Sequence, residues 1–153
     1  MEQLNTMNFQ PTNIAILTIS DSRTEENDRS GDILVERIQK AGHNLFARSI
    51  VKDQVSLIVD KLQIWINNPA VDVIITTGGT GVTGRDVTPE AFVSVWDKEI
   101  PGFGELFRWI SYKKIKTSTI QSRACAGVAN GTYLFALPGS TGACKDGWDQ
   151  ILL

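Results

Sequence analysis

Histidine occurs once and cysteine twice in 153 residues. Cys125 and Cys144 have no metal-ligand spacing and no histidine nearby, which excludes a Cys/His metal centre and predicts two small buried side chains. His43 follows Gly42 where a helix should end and reads as a helix-terminal residue rather than a catalytic one. No apolar run approaches the ~20 residues that span a bilayer. The opening "MEQLNTMNFQPTN" lacks the basic-then-apolar layout of an export signal, so the expected compartment is the reducing cytoplasm. Fifteen Lys and Arg against 17 Asp and Glu leave a net charge of −2. No basic field argues for nucleic acid or an anionic membrane as partner. Lys113, Lys114 and Lys116 read as a solvated helix end. There is no repeat, no low-complexity tract and no linker. The length suits one domain, expected over residues 13–153 behind a flexible segment 1–12.

Within that domain the apolar period alternates. "NIAILTIS" (13–20) is a short continuous run, as in a strand buried on both faces. Ser30 is placed to cap a helix carrying Ile33, Leu34, Ile38 and Ala41, with Gly42 as its stop. "LFARSIV" (45–51) predicts a second strand. Asp53 stands at an N-cap position before Val55, Ile58, Val59, Leu62 and Ile66, one face of a helix. "VDVIITT" (71–77) predicts a third strand, and Thr88-Pro89 the start of another helix. "GFGELFRWIS" and "QSRACAGVA" read as further helices. Asn130-Gly131 turns into a last strand, "TYLFALP", before a helical "GACKDGWDQILL". Strand alternating with helix predicts a three-layer α/β/α domain around a mostly parallel sheet.

In such a sheet ligands collect beyond the carboxyl ends of the strands. Four loops fall there: "SDSR" (20–23), "KDQ" (52–54), "GGTGVTGRD" (78–86) and "PGSTG" (138–142). They supply Asp21, Asp53, Asp86, hydroxyls and glycines, although Gly, Ser and Asp are also ordinary turn formers. Gly79, Gly81 and Gly84 spell G-x-G-x-x-G, but the next helix begins only at Thr88-Pro89, after the third strand, which rules out a dinucleotide fingerprint. The P-loop spacing from Gly79 to Gly84 fails as well, because Arg85 and Asp86 stand where Lys and Ser or Thr are required.

What remains is a nest. Glycines let successive backbone N–H groups face one anionic group, with Thr80 and Thr83 as hydroxyl donors. Asp86 at its rim suits Mg²⁺, which takes one or two carboxylates plus phosphate oxygens and water. Asp53 is either a second such carboxylate or simply an N-cap. Arg85 and Asp86 also allow a plain exposed ion pair.

"TTGGTG" followed by "RDVTPEA" resembles the signature of the MoaB/Mog family of molybdenum cofactor biosynthesis. "AILTISDSR", "DRSGDIL" and "TSTIQSRACAGVANGTYLFALPGST" extend the likeness, and "IPGFGELFRWISYKKIKTSTIQSRACAGV" is most similar to the MoaB branch. The resemblance implies a molybdopterin-binding three-layer fold that transfers AMP from ATP to the terminal phosphate of molybdopterin, releasing pyrophosphate. It puts the family's two Mg²⁺-serving acids on Asp53 and Asp86, as catalytic and metal-binding residues. Gly78, Gly79, Thr80 and Gly81 would hold the pterin ligand with Ser118 and Ser122. Ser20, Asp21 and Ser22, with Gly139 and Ser140, would line the rest of the pocket around the nucleotide.

Some members of the MoaB branch lack one or both acids and resemble binding proteins more than catalysts; this sequence has both. Such domains also serve as oligomerisation modules in scaffold proteins, which the single-domain length argues against. The resemblance further implies a homotrimer or homohexamer, and a C-terminal tail that would follow "DQILL". Phe103, Leu106, Phe107, Trp109 and Ile110 carry more apolar bulk than one helix face needs, as subunit contacts or as core.

Overall fold

The computed structural model describes residues 8–153. Six strands and five helices alternate: β1 Asn13–Ile19, α1 Arg29–Lys40, β2 Asn44–Val51, α2 Val55–Ile66, β3 Val73–Thr77, α3 Thr88–Val95, β4 Lys98–Glu99, α4 Pro101–Ile115, β5 Cys125–Ala129, β6 Thr132–Leu137 and α5 Thr141–Gly147. A 3-10 segment, Lys116–Gln121, follows α4, and a π turn, Trp148–Leu152, extends α5. The sheet order is β2-β1-β3-β6-β5-β4. β2, β1, β3 and β6 are mutually parallel, and β5 is the strand that runs against the rest.

Alternation along β1 divides the core in two. Ala15, Leu17 and Ile19 pack with Ile58, Leu62 and Trp65 of α2 and with Ala91 and Phe92 of α3. Ile14 and Ile16 face the other way, against Leu34 and Ile38 of α1, Phe103 and Phe107 of α4, and Cys144 and Trp148. Helices cover both faces, as the near-continuous apolar runs of the strands require. The mostly parallel three-layer expectation holds, with a short β4 the sequence did not signal.

Two expected element starts and one element type are corrected. Helix α1 is capped by Asp28, whose carboxylate accepts from the Gly31 N–H at 3.0 Å. Ser30 lies inside the helix, and its hydroxyl donates to the Gly139 carbonyl at 2.7 Å. Helix α2 has Gln54 at its N-cap and no side-chain cap bond, so Asp53 does not cap it. "QSRACAGVA" is no helix: the chain leaves the 3-10 segment and enters β5. Asn130 (φ 48°) and Gly131 (φ 80°) form a tight turn that folds β5 back on β6, and that pairing overrides the helix preference of its alanines. At the end of α1, His43 N–H donates to Ile38 O and Gly42 N–H to Gln39 O, both at 3.0 Å, a Schellman closure. The His43 ring accepts the Thr12 N–H at 3.1 Å and packs on Phe9, a structural role. The expected flexible segment, 1–12, lies outside the described residues over 1–7.

Asp28 is fully buried and binds more than the helix start. It accepts from the Thr18 hydroxyl of β1 at 2.6 Å and from the Arg48 guanidinium of β2 at 3.2 Å, tying two neighbouring strands to α1. Removing it leaves those donors unpaired as well as the helix uncapped. Asp28→Ala is therefore expected to cost about 3 kcal/mol in urea unfolding, against about 1 kcal/mol for Ser30→Ala, which loses one neutral hydrogen bond.

Candidate functional site

The four loops named from sequence follow β1, β2, β3 and β6, which are adjacent and parallel, so their carboxyl ends meet along one edge. The strand order reverses between β1 and β3, where parallel sheets open a crevice. The glycine loop starts on that point.

Gly78 sits at φ 106° and Gly79 at φ 73°, left-handed conformations that L side chains avoid. A Cβ on Gly78 would also overlap the carbonyl of Ile19, at the end of β1. The turn is pinned by Gly78 N–H to Leu137 O at 3.0 Å and by the Thr88 hydroxyl to Gly78 O at 2.8 Å. Arg123 holds the loop's outer side. Its guanidinium donates to the carbonyls of Gly81 and Asp86, each at 2.7 Å, and its backbone N–H donates to Thr80 O at 2.8 Å. With those carbonyls turned toward Arg123, the N–H groups of Gly79 and Thr80 have no protein acceptor among the described residues.

A cleft of about 520 Å³ opens beside this loop. Gly78, Gly79, Thr80, Gly81, Asp86, Ser122, Gly139 and Ser140 of the sequence-based site all line it. Ser122 Oγ is buried and has no hydrogen-bond partner among the described residues. The other candidates stand outside the cleft. Ser118 is exposed on the 3-10 segment. Ser20 Oγ accepts the N–H groups of Ser22 and Arg23, which spends it on its own turn, and the Ser22 side chain is exposed.

Asp21, Asp53 and Asp86 share an electrostatic neighbourhood. Asp21 takes the Arg85 guanidinium at 2.7 Å, which lowers its pKa, and it accepts the Asp53 N–H at 3.1 Å. The anticipated Arg85–Asp86 pair is therefore replaced by Arg85–Asp21. Asp86 Oδ2 instead accepts both the N–H and the hydroxyl of Thr83, at 3.0 and 2.8 Å. Burial pushes Asp86 upward, but these bonds hold its pKa below the ordinary aspartate value. They also occupy the Thr83 hydroxyl, which is not a free donor for a ligand.

Asp53 is the contrasting case. Burial first, then the charges of Asp21 and Asp86, raise its pKa. The two carboxylates flank the glycine loop: a Cβ on Gly79 would stand 3.3 Å from Asp53 Oδ1, and one on Gly81 2.6 Å from Asp86 Oδ2. No cluster of three or more potential metal ligands occurs among the described residues. Two carboxylates, one of them with its pKa raised by burial and by its acidic neighbours, are nonetheless the donor set Mg²⁺ accepts when phosphate oxygens and water complete its shell.

Sequence reading missed the opposite wall. Phe107, Ser111, Lys114 and Ile115 of α4 face Gly142, Ala143 and Asp146 of α5 across the cleft. Their spacing of four, three and one marks a single helix face, a signal present in "FRWISYKKI". Lys114 is thus no simple solvated end; it bonds Asp146 Oδ1 at 2.6 Å. Arg123 carried no local signal, since its acceptors, the Glu90 carboxylate and two backbone carbonyls, lie 33, 37 and 42 positions away. A second cleft, of about 590 Å³ at the other end of the strands, is lined by apolar side chains with Thr12, Tyr133 and His43 and has no carboxylate.

This layout, a switch-point glycine loop with carboxylates on both flanks, defines a ligand-binding α/β domain, and residues 15–153 match the family described as a probable molybdopterin binding domain. The chain belongs to that family, within its MoaB/Mog group of molybdenum cofactor biosynthesis proteins. It is 49% identical over 152 residues to molybdenum cofactor biosynthesis protein B of Escherichia coli K12, covering 99% of this chain and 89% of that one. The Bacillus subtilis protein of the same name is 40% identical over 139 residues, 90% of this chain and 82% of that one. Among solved structures, the tungsten cofactor synthesizing protein MoaB from Pyrococcus furiosus superposes with a TM-score of 0.84 at 35% identity, covering 95% and 92%.

Because the Asp53 pKa is raised in the folded state, ionising it costs stability. The cost is absent below the unfolded pKa and fully present above the folded one. Asp53→Asn is accordingly expected to melt higher than wild type at pH 7, with the gain shrinking toward pH 3. Scanning calorimetry at both pH values checks this; an unchanged or lower melting point at pH 7 would remove the electrostatic cost.

Proposed function

We propose that the chain acts in molybdenum cofactor biosynthesis by binding molybdopterin in the 520 Å³ cleft and transferring AMP to its terminal phosphate from ATP. The observation carrying this reading is the pair Asp53 and Asp86 beside a glycine loop with free N–H groups. The names of the relatives support the pathway, and the chemistry of the cleft supports the reaction. A phosphate monoester is already a nucleophile and needs no base to remove a proton. The new bond joins a molybdopterin phosphate oxygen to the α-phosphorus, and the bond to the pyrophosphate oxygen breaks.

The protein's task is then to position two anions and offset their charge. Gly79 and Thr80 N–H donate to phosphate oxygens. Asp53 and Asp86 would hold Mg²⁺, which would offset the negative charge of the phosphate oxygens and of the departing pyrophosphate. Thr83 and Arg123 keep Asp86 and the loop in place. Purified protein incubated with molybdopterin, ATP and Mg²⁺ tests the reading by formation of adenylylated molybdopterin. Saturable pterin binding without product would leave a binding protein instead. Asp86→Asn is expected to keep the melting temperature within a few degrees, since the amide oxygen still accepts from Thr83. It should lower transfer by at least about 100-fold through loss of a metal ligand.

The same reading includes a homo-oligomer, a trimer or a hexamer. Its support is α4: Phe103, Phe107 and Ile110 are consumed by the chain's own core, while Leu106, Trp109, Tyr112 and Ile115 stay 41–62% exposed. Apolar side chains grouped on one helix suit a subunit contact. Light scattering at micromolar concentration is expected to give a mass near three or six chains, and a persistent monomer would remove the assembly.

A further inference from the structure

Asp146 is a carboxylate in the wrong place for a metal site and the right place for recognition. It is 8% exposed, yet it lines the cleft, on α5 about 9 Å along the helix from Ser140 at 1.5 Å per residue. Its Oδ1 accepts from Lys114 at 2.6 Å and from the Gln150 amide at 3.4 Å. Its Oδ2 has no protein partner, although it is not among the fully enclosed unpaired atoms, so it remains open to the cleft. Lys114 keeps 60% of its side chain exposed, leaving two of its three N–H donors uncommitted. Ile115, half exposed, supplies apolar surface beside the pair. A buried acceptor with a cationic donor next to it, beside an apolar side chain, matches the edge of a planar heterocycle with two adjacent N–H donors followed by a carbonyl.

We infer that Asp146 and Lys114 read the 2-amino-4-oxo edge of the pterin ring. The Asp146 carboxylate accepts the 2-amino N–H and the N3–H, and Lys114 donates to the 4-oxo oxygen. This deepens the reading of the cleft as a molybdopterin site and rests on it. Placing the ring between α4 and α5 leaves the phosphate-bearing arm directed toward the glycine loop. Asp146 and Lys114 are thereby specificity-determining residues and take no part in the transfer step. Guanine carries the same edge on a smaller bicycle, so recognition of the edge alone would admit guanosine.

The edge predicts an exchange of preference. Lumazine is pterin with the 2-amino group replaced by an oxo group, which sets an acceptor against the Asp146 carboxylate. Fluorescence titration of the full chain with pterin and with lumazine is expected to favour pterin by about 10- to 100-fold, the range for hydrogen bonds to a charged group. Asp146→Asn offers an amide N–H to the 2-oxo group and an acceptor to N3–H, so it should lose affinity for pterin and gain affinity for lumazine. Lys114→Met should weaken both ligands by similar factors, because both keep the 4-oxo group. A merely structural role for Asp146 would move the two affinities together.

Equal wild-type affinities, no saturable pterin binding, an unchanged ratio in a folded Asp146→Asn variant, or tighter binding of guanosine than of pterin would each overturn the assignment. The readout is binding alone. An exchanged preference without any AMP transfer would uphold it while removing the enzymatic reading, and AMP transfer with an unchanged ratio would do the reverse.

Discussion

The carbonyl of Ile19 and the backbone of Gly78 occupy neighbouring strand ends so closely that no Cβ fits between them. That contact couples β1 to β3 at their carboxyl ends, at the point where the strand order reverses. Gly139 extends it to β6, since a Cβ there would stand 3.4 Å from Gly78 Cα. Three loops therefore converge at backbone distance before any side chain is considered. Convergence at this range leaves room for N–H groups to face outward and for little else, so the glycines are a consequence of the approach as much as its cause.

The scaffold behind those loops is held from the opposite direction. Asp28 ties β1, β2 and α1 through its bonds to Thr18, Arg48 and Gly31. Ser30, two residues on, reaches across to Gly139. The start of α1 is thus fastened both to the strands and to the loop after β6. A shift of α1 would move the "PGSTG" side of the cleft with it, which links the Asp28–Arg48 ion pair to the width of the site.

Periodicity made most of this fold legible. The apolar runs of β1 and β3 and the spaced apolar residues of α1 and α2 each match one template, and the strand-end rule then located the four loops. Where two physical meanings share one residue type, sequence reading lost its grip. Asp28 and Ser30 both qualify as caps, and only the buried partners of Asp28 decide between them. Asp53 has the composition and spacing of a cap, but the helix starts one residue later than that role needs. "ACAGVA" carries no period at all. Its small residues are explained by contacts remote in sequence: a Cβ on Gly127 would meet the Trp96 ring at 2.6 Å. Arg85 and Asp86 are neighbours in the chain yet choose partners 64 positions away and 3 positions away, respectively.

The distribution of charge in the site has a direction that follows from these choices. Asp21 is neutralised by Arg85 and Asp146 by Lys114, while Asp53 has no cation bonded to it and carries a raised pKa. Asp86 is stabilised by neutral donors from its own loop, which hold its geometry without cancelling its charge. Carboxylates without a directly bonded cation are accordingly concentrated beside the glycine loop, where the nearest guanidinium, that of Arg123, is spent on the loop's carbonyls and on Glu90. An anionic ligand entering alone would gain the N–H bonds but suffer repulsion from both carboxylates. A divalent cation held by Asp53 and Asp86 would offset that repulsion. At the opposite end of the cleft Asp146 is already paired with Lys114, so charge there is balanced where the glycine-loop end is not.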